Sequence, residues 1–301
     1  MQVELNRNAF QESIQQINAD KKRKLPYLIT GLDGSARAIY LAQLFQARPT
    51  TILIVESSDL QMQELSQDLA HILPEVPVLT YPADDNLAIE YAQASMDFAS
   101  QRVAALNFLA QGQPGFVLTT LAGLRQKLNP VDQWVAYNKI IQVGQELDRQ
   151  ALLDTLIALS YKSVNMVMTP GEFSVRGGIV DFYPLDSDYP VRLDFFDSEV
   201  DSIRYFNAET QESVEQIDEV ILSPVQELIF PNFMQLMVAD ELKKRAKKYL
   251  DKVKDPAIKN NLQINLLGDL KNLADHNEPL KYASAFFGLI PETSSLLDYL
   301  R

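Results

Sequence analysis

The 301-residue sequence has no cysteine and only two histidines, His71 and His276. Without cysteine, the chain cannot form disulfides, use a thiolate nucleophile or build a cysteine-based zinc site. The two histidines lie far apart in the sequence, so a histidine-based metal site is not expected. No run of roughly eighteen apolar residues occurs, and MQVELNRNAF lacks the apolar core of a secretion signal. These absences predict a cytoplasmic protein with no metal site and no membrane contact.

The net charge of −13 argues against binding nucleic acid through broad electrostatic attraction. A hydrophobic content of 47% is typical of a folded globular protein and excludes a largely disordered one. The length exceeds the usual size of a single hydrophobic core, which favours two or three domains.

Strand and helix patterns alternate through the first third of the chain. This alternation predicts an α/β domain over residues 25–130, with a parallel sheet of the P-loop (RecA/helicase) type covered by helices on both faces. The predicted strands are 25–30, 51–55, 76–81 and 116–119. One predicted helix follows the loop at Gly31 and runs through Phe45, and two others lie at 58–73 and 92–109.

A glycine-containing loop follows the first predicted strand and precedes a helix, which is the context of a phosphate-binding loop. The motif G-x-x-x-x-G-K-[ST] is only partly present. Gly31 matches its first glycine and Gly34 lies inside the loop, but Ala36, Arg37 and Ala38 replace the second glycine, the lysine and the hydroxyl residue. A Cβ at position 36 obstructs phosphate approach, and Ala38 offers magnesium no oxygen. The loop is therefore predicted to be a degenerate nucleotide site.

A second, inserted α+β domain is predicted over residues 131–224. Asp148 is a candidate N-cap for a helix ending at Leu159. A strand is predicted over 162–168, and a three-stranded antiparallel meander follows, with a final strand at 214–222. The predicted meander strands are Phe173–Tyr183, Val191–Phe196 and Val200–Phe206.

The meander has an unusual charge pattern. Between residues 170 and 224, thirteen acidic residues accompany three basic ones, which are Arg176, Arg192 and Arg204. On the middle strand, Arg192 and Phe196 share a face opposite the apolar residues. An arginine near an exposed aromatic ring is typical of a protein interface. The alternative is an arginine paired with local carboxylates and a phenylalanine covered by a loop.

The direction of Arg176 is open at this stage. Simple alternation along one strand places it with Val180 and Phe182, whereas a bulge at Gly177–Gly178 would turn it to the other face.

Residues 1–24 and 225–301 are predicted to form a helical subdomain. The segment 239–255 is a strongly charged helix, with eight lysines and arginines against four acids between Asp240 and Lys259. Its simplest interpretation is a solvated helical face. Further helices are predicted at 260–275 and 279–287.

The motifs PGEF-x-VRGGI-x-D-x-YP and P-VRLDFF-x-x-E-x-x-SIR-x-F resemble the second domain of the bacterial transcription-repair coupling factor family (Mfd), whose fold is shared with UvrB. GLDGSARA is similar to the decayed nucleotide loop of that family. UvrB itself carries a tyrosine-rich hairpin after the third strand, whereas here residues 81–90 lead into a predicted helix within about a dozen residues. The resemblance is therefore to the N-terminal UvrB-homology module of Mfd.

This resemblance implies a module that recruits UvrA to stalled RNA polymerase in transcription-coupled nucleotide excision repair. It assigns the UvrA contact to Arg176, Arg192 and Phe196, with Arg204 at the periphery. ATP, Mg²⁺, DNA translocation, and the RNA polymerase and duplex DNA contacts belong to other parts of the full-length protein. The fragment is expected to be monomeric, to hold no cofactor and to lack ATPase activity. The alternatives are a nucleic-acid-dependent ATPase, a UvrB-like clamp on damaged DNA, and an internal brace that restrains the motor.

Overall fold

The computed structural model describes residues 7–19, 27–83, 96–227, 229, 232–275 and 292–300. Its helices are α1 (Arg7–Ala19), α2 (Ser35–Ala47), α3 (Asp59–Ile72), α4 (Met96–Gln111), α5 (Leu121–Leu124), α6 (Val131–Tyr137), α7 (Arg149–Ala158), α8 (Asn232–Leu250) and α9 (Pro256–Asp275), followed by a 3₁₀ helix at Leu296–Tyr299. Its strands are β1 (Thr51–Glu56), β2 (Val78–Tyr81), β3 (Gly115–Thr120), β4 (Lys139–Gln142), β5 (Lys162–Ser163), β6 (Glu172–Arg176), β7 (Ile179–Phe182), β8 (Val191–Phe196), β9 (Glu199–Phe206), β10 (Ser213–Ile217) and β11 (Glu219–Leu222).

The first part of the chain forms a parallel sheet of order β1-β3-β2. The central strand β3 is buried along its whole length, and its side chains alternate between two cores. Phe116 and Leu118 pack with apolar residues of α2 and α3, whereas Val117 packs with those of α4. Helices therefore cover both faces of the sheet, as the alternating pattern predicts.

The predicted first strand, 25–30, is wrong for the residues that the structure describes. Tyr27 to Thr30 are irregular and exposed to solvent, and residues 25–26 lie outside the described part. Among the described strands, β1 pairs only with β3. Apolar composition alone does not make a strand, because a strand also needs a neighbour to receive its backbone hydrogen bonds.

The second half of the chain forms a six-stranded sheet of order β10-β9-β8-β7-β6-β5 and a two-stranded sheet of β4 with β11. The chain is thus a mixed α/β protein. The predicted single strand 173–183 is wrong: it is the hairpin β6–β7, which turns at Gly177–Gly178. The predicted strand 214–222 is also wrong, because it divides at Asp218 into β10 and β11 of different sheets. Of the strand predicted at 162–168, only Lys162 and Ser163 pair.

Helix α7 begins where the sequence predicts. The Asp148 side chain accepts a hydrogen bond from the Ala151 amide at 2.8 Å and caps the helix. In the first turn, Arg149 Nη1 donates to the Gly177 carbonyl at 2.6 Å. The start of α7 therefore supports the turn of the β6–β7 hairpin.

A buried polar network joins α4 to the antiparallel part of the chain. Arg102 Nε donates to Glu227 Oε2 at 2.8 Å, and the Tyr81 hydroxyl donates to Glu227 Oε1. Burial and the neighbouring Glu227 raise the pKa of Tyr81 well above its usual range. From the same helix, Asn107 Nδ2 donates to Asp186 Oδ2, in the loop between β7 and β8, at 2.8 Å. These contacts join β2 and α4 of the first part of the chain to the segments that follow β7 and β11.

The remaining elements are mainly helical. Helix α1 buries Ile14 and Ile17 against Tyr40 of α2, while α8 packs against α9. The predicted helices at 239–255 and 260–275 are confirmed, the former starting earlier, at Asn232, and ending at Leu250.

Near the end of the chain, Leu128 and Ser294 pair as an isolated bridge, and the Tyr299 hydroxyl donates to the Asn129 carbonyl at 2.9 Å. The predicted helix at 279–287, and the tract 84–95 where UvrB would carry its hairpin, lie outside the described residues.

No helix in the described ranges is long and apolar enough to cross a membrane. Over the same ranges, no group of three or more histidine, aspartate or glutamate side chains is arranged to hold a metal ion. His71 lies exposed on α3, where its Nδ1 is 2.7 Å from the Gln67 carbonyl, and His276 lies outside the described residues.

Candidate functional site

The arginines of the antiparallel sheet lie together on one face. The pairing of β6 with β7, β7 with β8 and β8 with β9 places alternate residues of all four strands on the side opposite the apolar core. We call this surface the arginine face and define it by Arg176, Asp181, Arg192, Asp194, Phe196 and Arg204.

Asp181 is the anchor of the arginine face. Its carboxylate is 1% exposed and accepts hydrogen bonds from two arginines. Arg192 donates through Nε to Oδ1 at 2.7 Å and through Nη2 to Oδ2 at 2.9 Å, which is a bidentate contact. Arg176 donates through Nη2 to Oδ2 at 2.6 Å. One buried carboxylate thus orients two guanidinium groups.

Arg192 is fixed from several sides. Its guanidinium carbon lies 4.3 Å from the centre of the buried Phe206 ring, and Nη2 also donates to Gln211 Oε1 at 3.1 Å. Its side chain is only 12% exposed. The hydrogen bonds to Asp181 raise the pKa of Arg192 above its usual value, so this residue is a permanent cation. Little of it faces solvent, whereas Arg176 is 47% exposed.

Arg204 belongs to a second ion pair on the same face. It contacts Asp194 through Nη2, and the Ser202 hydroxyl donates to the same Asp194 Oδ2 at 3.1 Å. The Arg204 Nε is buried and has no hydrogen-bond partner among the described residues. The three arginines and two aspartates leave one net positive charge in a strongly acidic region.

Phe196 provides the apolar part of the arginine face. It ends β8, immediately before the tight turn at Asp197, where the backbone adopts φ 60°. A register shift after Asp194 twists this end of the hairpin. The Phe196 side chain is 77% exposed, which is unusual for a large aromatic residue.

The structure brings all four residues of the predicted contact onto one face. Arg176 joins this face because the chain reverses at Gly177–Gly178, where Gly177 has φ +62°. The sequence interpretation missed Asp181 and Phe206. Gly-Gly is a recognised hairpin signal, and a two-residue turn there would have placed Asp181 beside both arginines.

The loop at Gly31 is arranged around a different ion pair. Gly31 (φ +80°) and Gly34 (φ +53°) adopt left-handed conformations, and α2 begins directly after Gly34. The Arg37 guanidinium contacts the carboxylate of Glu56, a buried residue that ends β1. Ala36 is half-buried and the Ala38 side chain is fully buried. The cation at the lysine position is engaged with a carboxylate, and position 38 supplies no hydroxyl.

Residues 140–228 match the family described as "UvrB interaction domain". The sheet that carries the arginine face is therefore a domain of this class.

The wider chain is similar to three proteins named "Transcription-repair-coupling factor". It is 34% identical over 90% of its length to that of Bacillus subtilis strain 168, 35% over 78% to that of Staphylococcus epidermidis strain RP62A, and 32% over 78% to that of Staphylococcus aureus strain NCTC 8325. The chain spans 23% of the Bacillus protein and 20% of each staphylococcal one. The chain belongs to the transcription-repair coupling factor family and corresponds to its N-terminal UvrB-homology module.

Proposed function

We propose that this chain is a non-catalytic, UvrB-like module that recruits UvrA through the arginine face during transcription-coupled nucleotide excision repair. In this proposal, RNA polymerase and duplex DNA are partners of the whole protein. The observation that supports it most directly is Phe196, which is 77% exposed on the same face as arginines held on a buried carboxylate.

The arginine face has the physical features of a protein-binding hot spot. Phe196 presents a large apolar surface that gains free energy when a partner covers it. Asp181 and Phe206 hold Arg192 in one orientation, so little side-chain entropy is lost on binding. Arg176 is half exposed and retains free donors for a carboxylate or carbonyl of the partner. The face combines an exposed apolar residue with oriented cations.

The binding test uses Phe196→Ala, with Ile140→Ala as the matched control. Ile140 is another exposed apolar residue, 58% exposed, but it lies on β4, outside the arginine face. Truncating Phe196 should weaken UvrA binding by about 30-fold, or about 2 kcal/mol, with no change in stability. Isothermal titration with purified UvrA measures both variants. Equal affinities for Phe196→Ala and the unmodified chain would contradict the proposal.

Arg176 and Arg192 make different contributions in this proposal. Because Arg176 is half exposed and shares Asp181, Arg176→Ala should reduce UvrA affinity while the fold is preserved. Arg192→Ala should reduce both affinity and stability, since it removes the main partner of buried Asp181. Titration of each variant, alongside its urea unfolding curve, separates the two effects. If Arg176→Ala bound UvrA normally, its proposed contact would be wrong.

We further propose that the Gly31 loop does not use nucleotide. The Arg37–Glu56 contact and the buried Ala38 support this reading, and they disfavour the alternative of a nucleic-acid-dependent ATPase. Phosphate release from ATP should stay at the buffer level, with or without duplex DNA, and Arg37→Ala should leave it unchanged. ATP hydrolysis that disappears in Arg37→Ala would refute this part of the proposal. The domain limits at 130/131 and 224/225 remain predictions.

A further inference from the structure

Among the residues that the structure describes, a dense group of exposed basic side chains lies on α8, which carries no residue of the arginine face. Between Asp240 and Asp255 the sequence contains seven lysines and arginines. Four of the lysines, Lys243, Lys244, Lys247 and Lys248, fall within two turns of α8, and all four are exposed. We call these four residues the lysine face.

The lysine face extends from the outer side of α8 round to the edge of its packed side. Ala246 and Leu250 of α8 are half-buried, and their spacing places them on the side that packs against α9. By the same helical geometry, Lys244 and Lys248 lie on the opposite side. Lys247 lies on the flank of the helix, and Lys243 lies near the packed side, where it is still exposed. Tyr249, the nearby exposed aromatic residue, falls outside the lysine face by its position in the turn.

The described carboxylates near the lysine face form no ion pair with it. Asp240 and Asp251 lie three or four residues from its lysines. Lys244 contributes, after Arg245, to lowering the pKa of Glu241. Glu241 accepts a hydrogen bond from Arg245 Nε at 2.9 Å. Asp255 caps α9 by accepting from the amides of Ala257 at 2.8 Å and Ile258 at 3.2 Å. Within the described part of the chain, none of the four lysines has a carboxylate within ion-pair distance.

Repulsion between the lysines lowers the stability of the isolated helix. Lys243 with Lys247 and Lys244 with Lys248 are like-charge pairs at i,i+4, each unfavourable by about 0.2–0.5 kcal/mol. Attraction to the helix dipole offsets this cost only for Lys247 and Lys248, which lie in the last turn. A polyanionic partner along the helix would remove the repulsion entirely.

We propose that the lysine face binds the phosphate backbone of duplex nucleic acid. Lysines one turn apart follow each other at about 6 Å along the helix and can reach successive phosphates. Lysine offers a flexible point charge instead of the planar fork that reads base edges, so the contact is independent of sequence. Single-stranded nucleic acid would need stacking aromatic residues, and the lysine face has none. Because the rest of the chain is acidic, α8 also defines the orientation of the bound duplex.

The test is fluorescence anisotropy of a labelled 20-base-pair duplex titrated with the whole chain at increasing salt. Four lysine contacts predict a slope of about −3.6 in log K against log salt, or an affinity loss of about 150-fold between 50 and 200 mM. The variant Lys243→Glu/Lys247→Glu should abolish most of the binding measured at 50 mM. Its matched control, Lys127→Glu/Lys139→Glu, changes the same net charge at exposed lysines outside α8 and should retain most of it.

Three outcomes would overturn the proposal: no duplex binding at 50 mM salt, equal losses in both double variants, or competition by polyglutamate as effective as competition by unlabelled duplex. The last result would identify the lysine face as a docking site for an acidic protein surface. Circular dichroism establishes that each variant keeps its helices. UvrA binding should be unchanged in Lys243→Glu/Lys247→Glu, so this inference can fail without affecting the proposed function of the arginine face.

Discussion

Replacing Asp181 by asparagine is the most informative perturbation of this protein. Asp181 is almost fully buried and balances Arg192, whose side chain is only 12% exposed. The substitution replaces an anion by a neutral amide next to a buried guanidinium. Removing one member of a buried ion pair costs about 3–5 kcal/mol. The second partner, Arg176, adds little because it is half exposed and water can solvate it. We therefore expect Asp181→Asn to lower the free energy of unfolding by about 3 kcal/mol.

A double-mutant cycle separates the ion pair from other effects of the substitution. Arg192→Gln alone should cost a similar amount, because it leaves Asp181 with Arg176 as its single cation. In Asp181→Asn/Arg192→Gln, the two amides can form a neutral hydrogen bond. The double variant should then be more stable than the sum of the single losses by about 2 kcal/mol or more.

Urea unfolding followed by far-ultraviolet circular dichroism measures these free energies. Asp197→Asn is the matched control: Asp197 is exposed at the β8–β9 turn, and asparagine tolerates its left-handed conformation. The control should change stability by less than about 0.5 kcal/mol. A loss below about 1 kcal/mol in Asp181→Asn, or strict additivity in the cycle, would refute the view that Asp181 anchors the arginine face.

Two further predictions concern the backbone and the buried tyrosines. Gly177→Ala should destabilise the fold by about 1–2 kcal/mol, because Gly177 has φ +62°. Gly268→Ala, at an exposed position of α9, should instead stabilise the fold by up to about 1 kcal/mol. Thermal denaturation distinguishes these opposite changes in stability. Burial raises the pKa of Tyr81 and Tyr161 above 10, so the unfolded chain releases these protons at lower pH than the folded chain. The free energy of unfolding should therefore fall as pH rises above 10, by up to about 1.4 kcal/mol per pH unit for each tyrosine. Tyr161→Phe should make this alkaline loss shallower in urea titrations, unlike Tyr189→Phe at an exposed position, and an unchanged slope would contradict the assignment.

The local elements were largely predictable because they depend on short-range patterns. Helical spacing of apolar residues located α3 and α4, and Asp148 marked the start of α7 through its capping side chain. Buried strands such as β3 were visible as short apolar runs. Residues 27–30 have the same apolar pattern but are exposed and form no strand in the described structure. The amino-acid composition of that segment cannot show whether a neighbouring strand will pair with it.

The candidate site was only half predictable. Alternation along β8 placed Arg192 and Phe196 on one face, and the two side chains do share that face. The position of Arg176 depended on the turn at Gly177–Gly178, which reverses the chain instead of continuing one strand. The exposure of each side chain could not be predicted, because it depends on groups from other strands.

The order of residues along the chain determined which segments could become helices and strands. It also placed Arg37 in a glycine-containing loop and concentrated lysines in α8. The tertiary structure alone decided which charges are already paired. Arg192 donates hydrogen bonds to Asp181 and Gln211 and packs on the Phe206 ring, all of which come from other strands and loops. The four lysines of α8 have no carboxylate within ion-pair distance among the described residues. Electrostatic and hydrogen-bond energies depend on distances in space, and folding brings together groups that the sequence keeps apart.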